Sequence, residues 1–218
     1  MKFKQLIRLG ILSLVGIFLV AFTKDQIKKQ VVCFGDSITF GAKVDGHSWV
    51  SYLKEQHPEI DFVNAGRSGR KTADKKELLP VLEKYSNADE YLIFLGVNDL
   101  KDGTDSMVAD CVNNMKWMVE EIKKVNPNAK IVILSPTYIN TKTMDAVNVK
   151  KLYNENTKKS LRHLKKAYHH LAKQEFVGFL SLLHAVNKNN FADGLHPNAT
   201  GQKEIAELVW KKLYLVKM

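Results

Sequence analysis

Five short apolar runs separated by segments of helical periodicity constrain the fold more than any other feature of this chain. Residues 31–34, 60–63, 91–95, 131–134 and 176–180 are rich in β-branched and aromatic side chains and are too short for helices. Between them, residues 49–56, 76–85, 105–125 and 147–173 carry apolar residues at helical spacing, and 199–215 supply a last helix. Near-continuous apolar strands alternating with helices predict a parallel sheet covered on both faces. The expectation is a single three-layer α/β/α domain over residues 30–218, with a central five-stranded parallel, flavodoxin-like sheet. A chain of 218 residues is long enough to bury one such core and too short for two large domains. No internal repeat, low-complexity tract or interdomain linker interrupts it.

The first stretch reads as separate from the fold. Lys2, Lys4 and Arg8 precede an uncharged apolar run over 9–22, and polar Thr23-Lys24-Asp25-Gln26 follow. A basic end, a short apolar core and polar residues form the layout of an export signal. Ala21-Phe22-Thr23 is the nearest approach to a cleavage site. Residues 1–29 are therefore expected to be a signal peptide or an uncleaved membrane anchor, giving membrane contact and an extracytoplasmic domain. The same segment supplies about half of the formal charge of +10. The remaining basicity selects no partner by itself, because anionic lipid, wall polymer and nucleic acid would all suit it. Cys33 and Cys111 have neither disulfide-framework nor metal-ligand spacing.

Four segments at the ends of the predicted strands carry residues of complementary chemistry. Gly35-Asp36-Ser37 stops the first strand, with Gly41 four residues after the serine. Asn64-Ala65-Gly66-Arg67-Ser68-Gly69 follows the second, and Gly96-Val97-Asn98-Asp99 follows the third. Asp193-Gly194-Leu195-His196-Pro197-Asn198 precedes the last helix. Sequential parallel strands bring their carboxyl ends to one crevice, so these segments are expected to meet there. A serine hydroxyl needs an adjacent base, and His196 is the candidate, with Asp193 to hold its tautomer. The Ser37 and Gly69 amides and the Asn98 side chain are the candidate oxyanion donors.

These four segments resemble the sequence blocks of the SGNH (GDSL-type) hydrolases, in order and over about residues 30–218. Gly35 to Gly41 is similar to the family's first block. Asn64 and Gly69 are similar to the second, Gly96 to Asn98-Asp99 to the third, and Asp193 with His196 to the fifth. Gly66 is an alternative amide donor if the second-block loop is shifted. The resemblance implies an acylhydrolase working through an acyl-serine: an esterase, lipase-like enzyme, thioesterase or carbohydrate deacetylase. It implies Ser37, His196 and Asp193 as catalytic residues, and Ser37, Gly69 and Asn98 as the oxyanion hole. It calls for no metal and no cofactor. The partner is then a small-molecule, lipid or carbohydrate ester rather than a nucleic acid.

Other readings of the same residues are weaker. A metal-dependent phosphoesterase using Asp36, Asn98, Asp99 and His196 would lack further ligands and leave Ser37 idle. Gly66-Arg67-Ser68-Gly69 has the shape of a nucleic-acid-binding KH loop, and Gly69-Arg70-Lys71-Thr72 hints at a P-loop of the wrong spacing. An envelope acyltransferase would use the same residues with a sugar hydroxyl in place of water. For the substrate, Arg67, Ser68, Arg70 and Lys71 are candidates to meet an anionic group, and Tyr138 and Ile139 to line an acyl pocket. Helix 147–173 is expected to bury Val149, Leu152, Tyr153, Leu164, Ala167, Tyr168 and Leu171 beneath a solvated basic face.

Overall fold

The computed structural model describes residues 28–215. The expected signal or anchor over 1–29 thus lies almost wholly outside the described residues. Among those residues no helix is long and apolar enough to cross a membrane. Strands β1 (Lys29–Gly35), β2 (Ile60–Gly66), β3 (Glu90–Phe94), β4 (Lys130–Ser135) and β5 (Gly178–Ser181) form one parallel sheet in the order β2-β1-β3-β4-β5. The chain therefore moves one way from β1 to β2 and the other way from β3 onward. That reversal opens a crevice at the carboxyl ends of β1 and β3, where Gly35 pairs with Phe94.

The pleat divides the core. Val32 and Phe34 of β1, with Tyr91, Ile93, Ile131 and Ile133, face one apolar cluster; Val31, Cys33, Leu92, Phe94, Val132 and Leu134 face the other. The first is closed by α3 (Leu78–Lys84), α4 (Asp105–Val125) and α6 (Glu155–Gln174), and the second by α2 (Trp49–Gln56) and α7 (Ala199–Trp210). Both faces are covered, which gives the three-layer architecture. Both cysteines are buried and free.

Three expectations need correction. The helix placed over 147–173 is two helices: α5 (Ala146–Lys150) and α6. Leu152 between them takes a φ of 68°, and Asn154 caps α6 by accepting from the Asn156 and Thr157 amides. Apolar periodicity continued across the break by coincidence. Val149 and Leu152 are exposed, whereas Leu161, Leu164, Tyr168 and Leu171 are the buried stripe. The fifth strand begins at Gly178 instead of 176, because Phe176 turns the chain out of α6 and is 96% exposed. The segment expected as a helix over 76–85 opens with a 3₁₀ stretch, Thr72–Glu77, before α3.

Candidate active site

β1 ends at Gly35, and Asp36 turns the chain into the short helix α1 (Ser37–Phe40). The Asp36 carboxylate accepts from the Ile38 amide at 2.9 Å and is 1% exposed. Burial pushes its pKa up to about 7, against the pull of that hydrogen bond and of His196. Gly41 closes α1 in the left-handed region, with φ 95°, and its amide donates to the Ser37 carbonyl. A β-carbon there would also lie 2.6 Å from the Gly46 backbone. The second glycine of the motif thus holds the turn that keeps Ser37 at the strand end.

The loop before α7 supplies the candidate base, His196. One Asp193 oxygen accepts from the Leu195 and His196 amides at 3.0 and 2.8 Å; the other lies 2.8 Å from His196 Nδ1. The same carboxylate therefore folds the turn and aims the ring. Burial opposes the Asp193 charge, but the hydrogen bonds from the His196 ring and from the His196 and Leu195 amides win and hold its pKa well below the usual carboxylate range. An ionised Asp193 accepts only, so Nδ1 carries the proton and Nε2 has its lone pair free. His196 Nε2 is 3.0 Å from Ser37 Oγ.

On the other side lie the candidate donors. Ser37, Ser68, Gly69, Asn98, Tyr153 and His196 help to line a cavity of about 230 Å³, closed in part by Ala42 and Leu195. Gly69 takes a φ of 79° with open space where a β-carbon would stand, so conformation and not crowding asks for glycine there. The Asn98 Nδ2 group donates to the Arg70 carbonyl at 3.1 Å, while its Oδ1 accepts from the Tyr153 hydroxyl at 2.6 Å. Those two bonds fix the amide so that its second N–H is left for the cavity.

A protein-family model for GDSL-like lipases and acylhydrolases matches residues 33–204. The chain belongs to that family. As a GDSL-family chain it is an ester-hydrolysing enzyme. An arylesterase of Vibrio mimicus is 28% identical over 212 residues, covering 93% of this chain and 96% of that protein. An uncharacterized protein of Mycoplasma pneumoniae is 26% identical over 122 residues; that match covers 51% of this chain and 14% of the much longer relative. Among solved structures, a Mycobacterium smegmatis aryl esterase superposes with a TM-score of 0.69 at 21% identity, covering 82% of this chain and 95% of its own. A carbohydrate acetylesterase family member from Sinorhizobium meliloti gives 0.68 at 19% identity, covering 83% and 95%.

Several residues of this GDSL-family chain are used otherwise than the sequence suggests. Arg70 does not face substrate: it is 6% exposed and donates to the Gly35 and Ala65 carbonyls and to Glu77. Arg67 pairs with Asp74 and Glu77. Ile139 is wholly buried in the core, and Tyr138 lines a different hollow with Lys158 and Lys188. Neither belongs to the cavity beside Ser37. Gly66 is not the loop's free donor, because its amide bonds to Asn64 Oδ1 at 2.9 Å. Asn64 in turn donates to the Thr39 carbonyl and Ser48, bracing α1 from below. The Asp36 and Asp99 carboxylates bind the Ile38 amide and Thr72 respectively, so they do not converge with His196 as metal ligands would. Tyr153 falls within the apolar stripe expected over 147–173, so the sequence pattern gives it no place in the site. The Asn154-x-x-Thr157 cap just beyond it was the signal that the helix restarts there.

Proposed function

We propose that this enzyme is a serine esterase that cleaves short-acyl esters through an acyl-serine intermediate. The observation that carries this reading is the unbroken hydrogen-bonded chain from Ser37 through His196 to Asp193, opening on a small cavity bordered by Gly69 and Asn98. In this mechanism Ser37 Oγ attacks the ester carbonyl as His196 Nε2 takes its proton. Asp193 stays ionised and stabilises the imidazolium. The oxyanion meets the Ser37 and Gly69 amides and the free N–H of Asn98. Ser37 opens α1, where a backbone N–H has no intrahelical acceptor, so that donor is available. Collapse expels the alcohol, which takes the proton from His196. Water then attacks the acyl-serine through the same base, releasing the acid and restoring the hydroxyl.

A cavity of about 230 Å³ with only Ala42, Leu195 and the Tyr153 ring as apolar wall suits an acetyl to butyryl group better than a fatty chain. That wall is also compatible with deacetylation of a carbohydrate, where the alcohol would sit in solvent. We place the enzyme outside the cytoplasm on the basic-then-apolar pattern of residues 1–29.

A series of 4-nitrophenyl esters from acetate to palmitate, assayed with the full chain and with Ser37→Ala, tests the chemistry. Turnover should peak at two to four carbons and vanish in the variant, whose circular dichroism matches the parent. Turnover surviving in Ser37→Ala, or a palmitate optimum, would refute the reading. Fractionation of expressing cells tests the placement, which fails if the activity stays in the cytosol.

A further inference from the structure

The proposed ester chemistry needs a base, a carboxylate and three donors, yet the cavity wall also carries two cations that no step uses. Lys101, from the turn after Asn98-Asp99, and Lys151, just beyond α5, line the same cavity as Ser37 and His196. No acidic side chain lines it. None of the ion pairs among the described residues uses Lys101 or Lys151. The charges around Lys101 act in both directions, Lys71 and Lys151 against its ammonium and Asp99 in its favour. Lys71 lies close enough to act on Lys101, and the nearby Asp99 carboxylate is already bound by the Thr72 amide and hydroxyl.

Lys101 is unlike the solvated lysines of α6. Its ammonium lies 5.4 Å from the centre of the Tyr153 ring, and burial, then Lys71 and Lys151, lower its pKa. Both lysines are also placed by the site's own framework. The Asp145 amide and the Asn148 side chain donate to the Asp193 carbonyl, which ties α5, and with it Lys151, to the loop of His196. Tyr153 joins the same segment to Asn98. Two cations without an ion-pair partner, one half-buried and one exposed, in the wall of the cavity beside Ser37 favour an anion entering there.

We infer that the ester this site is built for carries an anionic group, a carboxylate, phosphate or sulfonate, close enough to the scissile carbonyl to be held by Lys101 and Lys151. This inference rests on the serine-esterase reading and narrows its substrate class. The anion belongs either to the acyl chain or to the alcohol, and both arrangements use the same two ammonium groups.

Matched ester pairs test it with the full chain. Mono-4-nitrophenyl glutarate against 4-nitrophenyl valerate places the charge on the acyl side, with uncatalysed hydrolysis subtracted. 4-Sulfophenyl acetate against 4-sulfamoylphenyl acetate places it on the alcohol side with a leaving group of similar electron demand. In at least one pair kcat/KM for the anionic ester should exceed the neutral one by about tenfold at low salt, the product of two partly exposed charge contacts. Half-molar sodium chloride should erode that ratio. The ratio should approach one in Lys101→Met/Lys151→Met and fall below one in Lys101→Glu/Lys151→Glu. An anionic ester no better than its partner in both pairs, with Ser37-dependent hydrolysis of the neutral esters intact, overturns the inference and leaves the esterase reading standing. Absence of Ser37-dependent hydrolysis on all four esters overturns the esterase reading itself. The wild-type ratios and their salt dependence need no variant to fold.

Discussion

Replacing Tyr153 by phenylalanine removes one oxygen atom and tests how the proposed oxyanion donor Asn98 is held. The hydroxyl is 2.6 Å from Asn98 Oδ1, Tyr153 is 3% exposed and Asn98 is 6% exposed. Burial, followed by the carboxylates of Asp36, Asp99 and Asp193, raises the tyrosine pKa, so it remains a donor throughout the working range of pH. Without it, Asn98 Oδ1 is a buried acceptor with no partner, which costs about 1–3 kcal/mol of stability. The amide keeps its bond to the Arg70 carbonyl, which still disfavours a full flip. The side chain should therefore loosen without leaving. A loss of about tenfold in kcat, near 1.4 kcal/mol, is expected, below the hundred- to thousandfold typical of deleting an oxyanion donor outright. KM should change little, because the contact tightens only as charge develops on the oxygen. The decisive assay is a double-mutant cycle with Asn98→Ala on a short-chain aryl ester. If Tyr153 acts through Asn98, the phenylalanine change should cost less than twofold in the alanine background. An undiminished tenfold loss there, or wild-type kcat in the single variant, would refute the reasoning.

Two further substitutions separate roles that share one carboxylate or one turn. Asp193→Asn keeps an oxygen for the Leu195 and His196 amides but presents an N–H donor to Nδ1, so the loop should persist while kcat falls by about 10⁴ through the wrong imidazole tautomer; wild-type turnover would remove Asp193 from the mechanism. Asp36 has its pKa raised from 3.8 to about 7 in the fold, so as pH rises through that window the unfolded chain ionises first and native stability falls, by up to about 4 kcal/mol. Asp36→Asn keeps the cap to Ile38 and abolishes that titration. Its melting temperature should gain on the parent from pH 4 to about pH 7 and then level off, and a gap that does not widen over that window would contradict the buried charge.

Much of the architecture is legible in the sequence because it is encoded locally. The apolar runs that become β1, β3 and β4 bury both faces and so read as continuous. The helix expected over 105–125 is found at Asp105–Val125, where Thr104 caps the start and the apolar stripe never drifts. Where neighbouring elements merely share a phase, the pattern misleads: α5 and α6 read as one helix although Leu152 adopts a left-handed backbone between them. Tyr153 lies at that break and reads as one more residue of the stripe. Its role depends on Asn98, fifty-five residues away, and no periodicity reports such a contact.

The basic residues show most clearly where a sequence stops being informative. Arg70 and Lys101 both follow glycine-bearing strand ends, and side-chain chemistry alone gives each the same claim on an anionic substrate. Their surroundings decide otherwise. The carboxyl edge of a parallel sheet leaves strand-end carbonyls beyond the last ladder bonds, and unpaired buried carbonyls are costly. Arg70 donates to the Ala65 carbonyl and, beside the Arg67 amide, to that of Gly35, at 2.6 Å each, stacks over Phe34 and holds Glu77, so its donors face the protein. Lys101 forms no ion pair: the Tyr153 ring, Lys71 and Lys151 lie near it, and the one nearby carboxylate, Asp99, is held by the Thr72 amide and hydroxyl. A cation with its hydrogen bonds satisfied by the backbone is part of the scaffold that positions Ser37. A cation left unmatched in the wall of the same cavity still has to find its counter-charge, and the molecule that enters there is the one able to bring it.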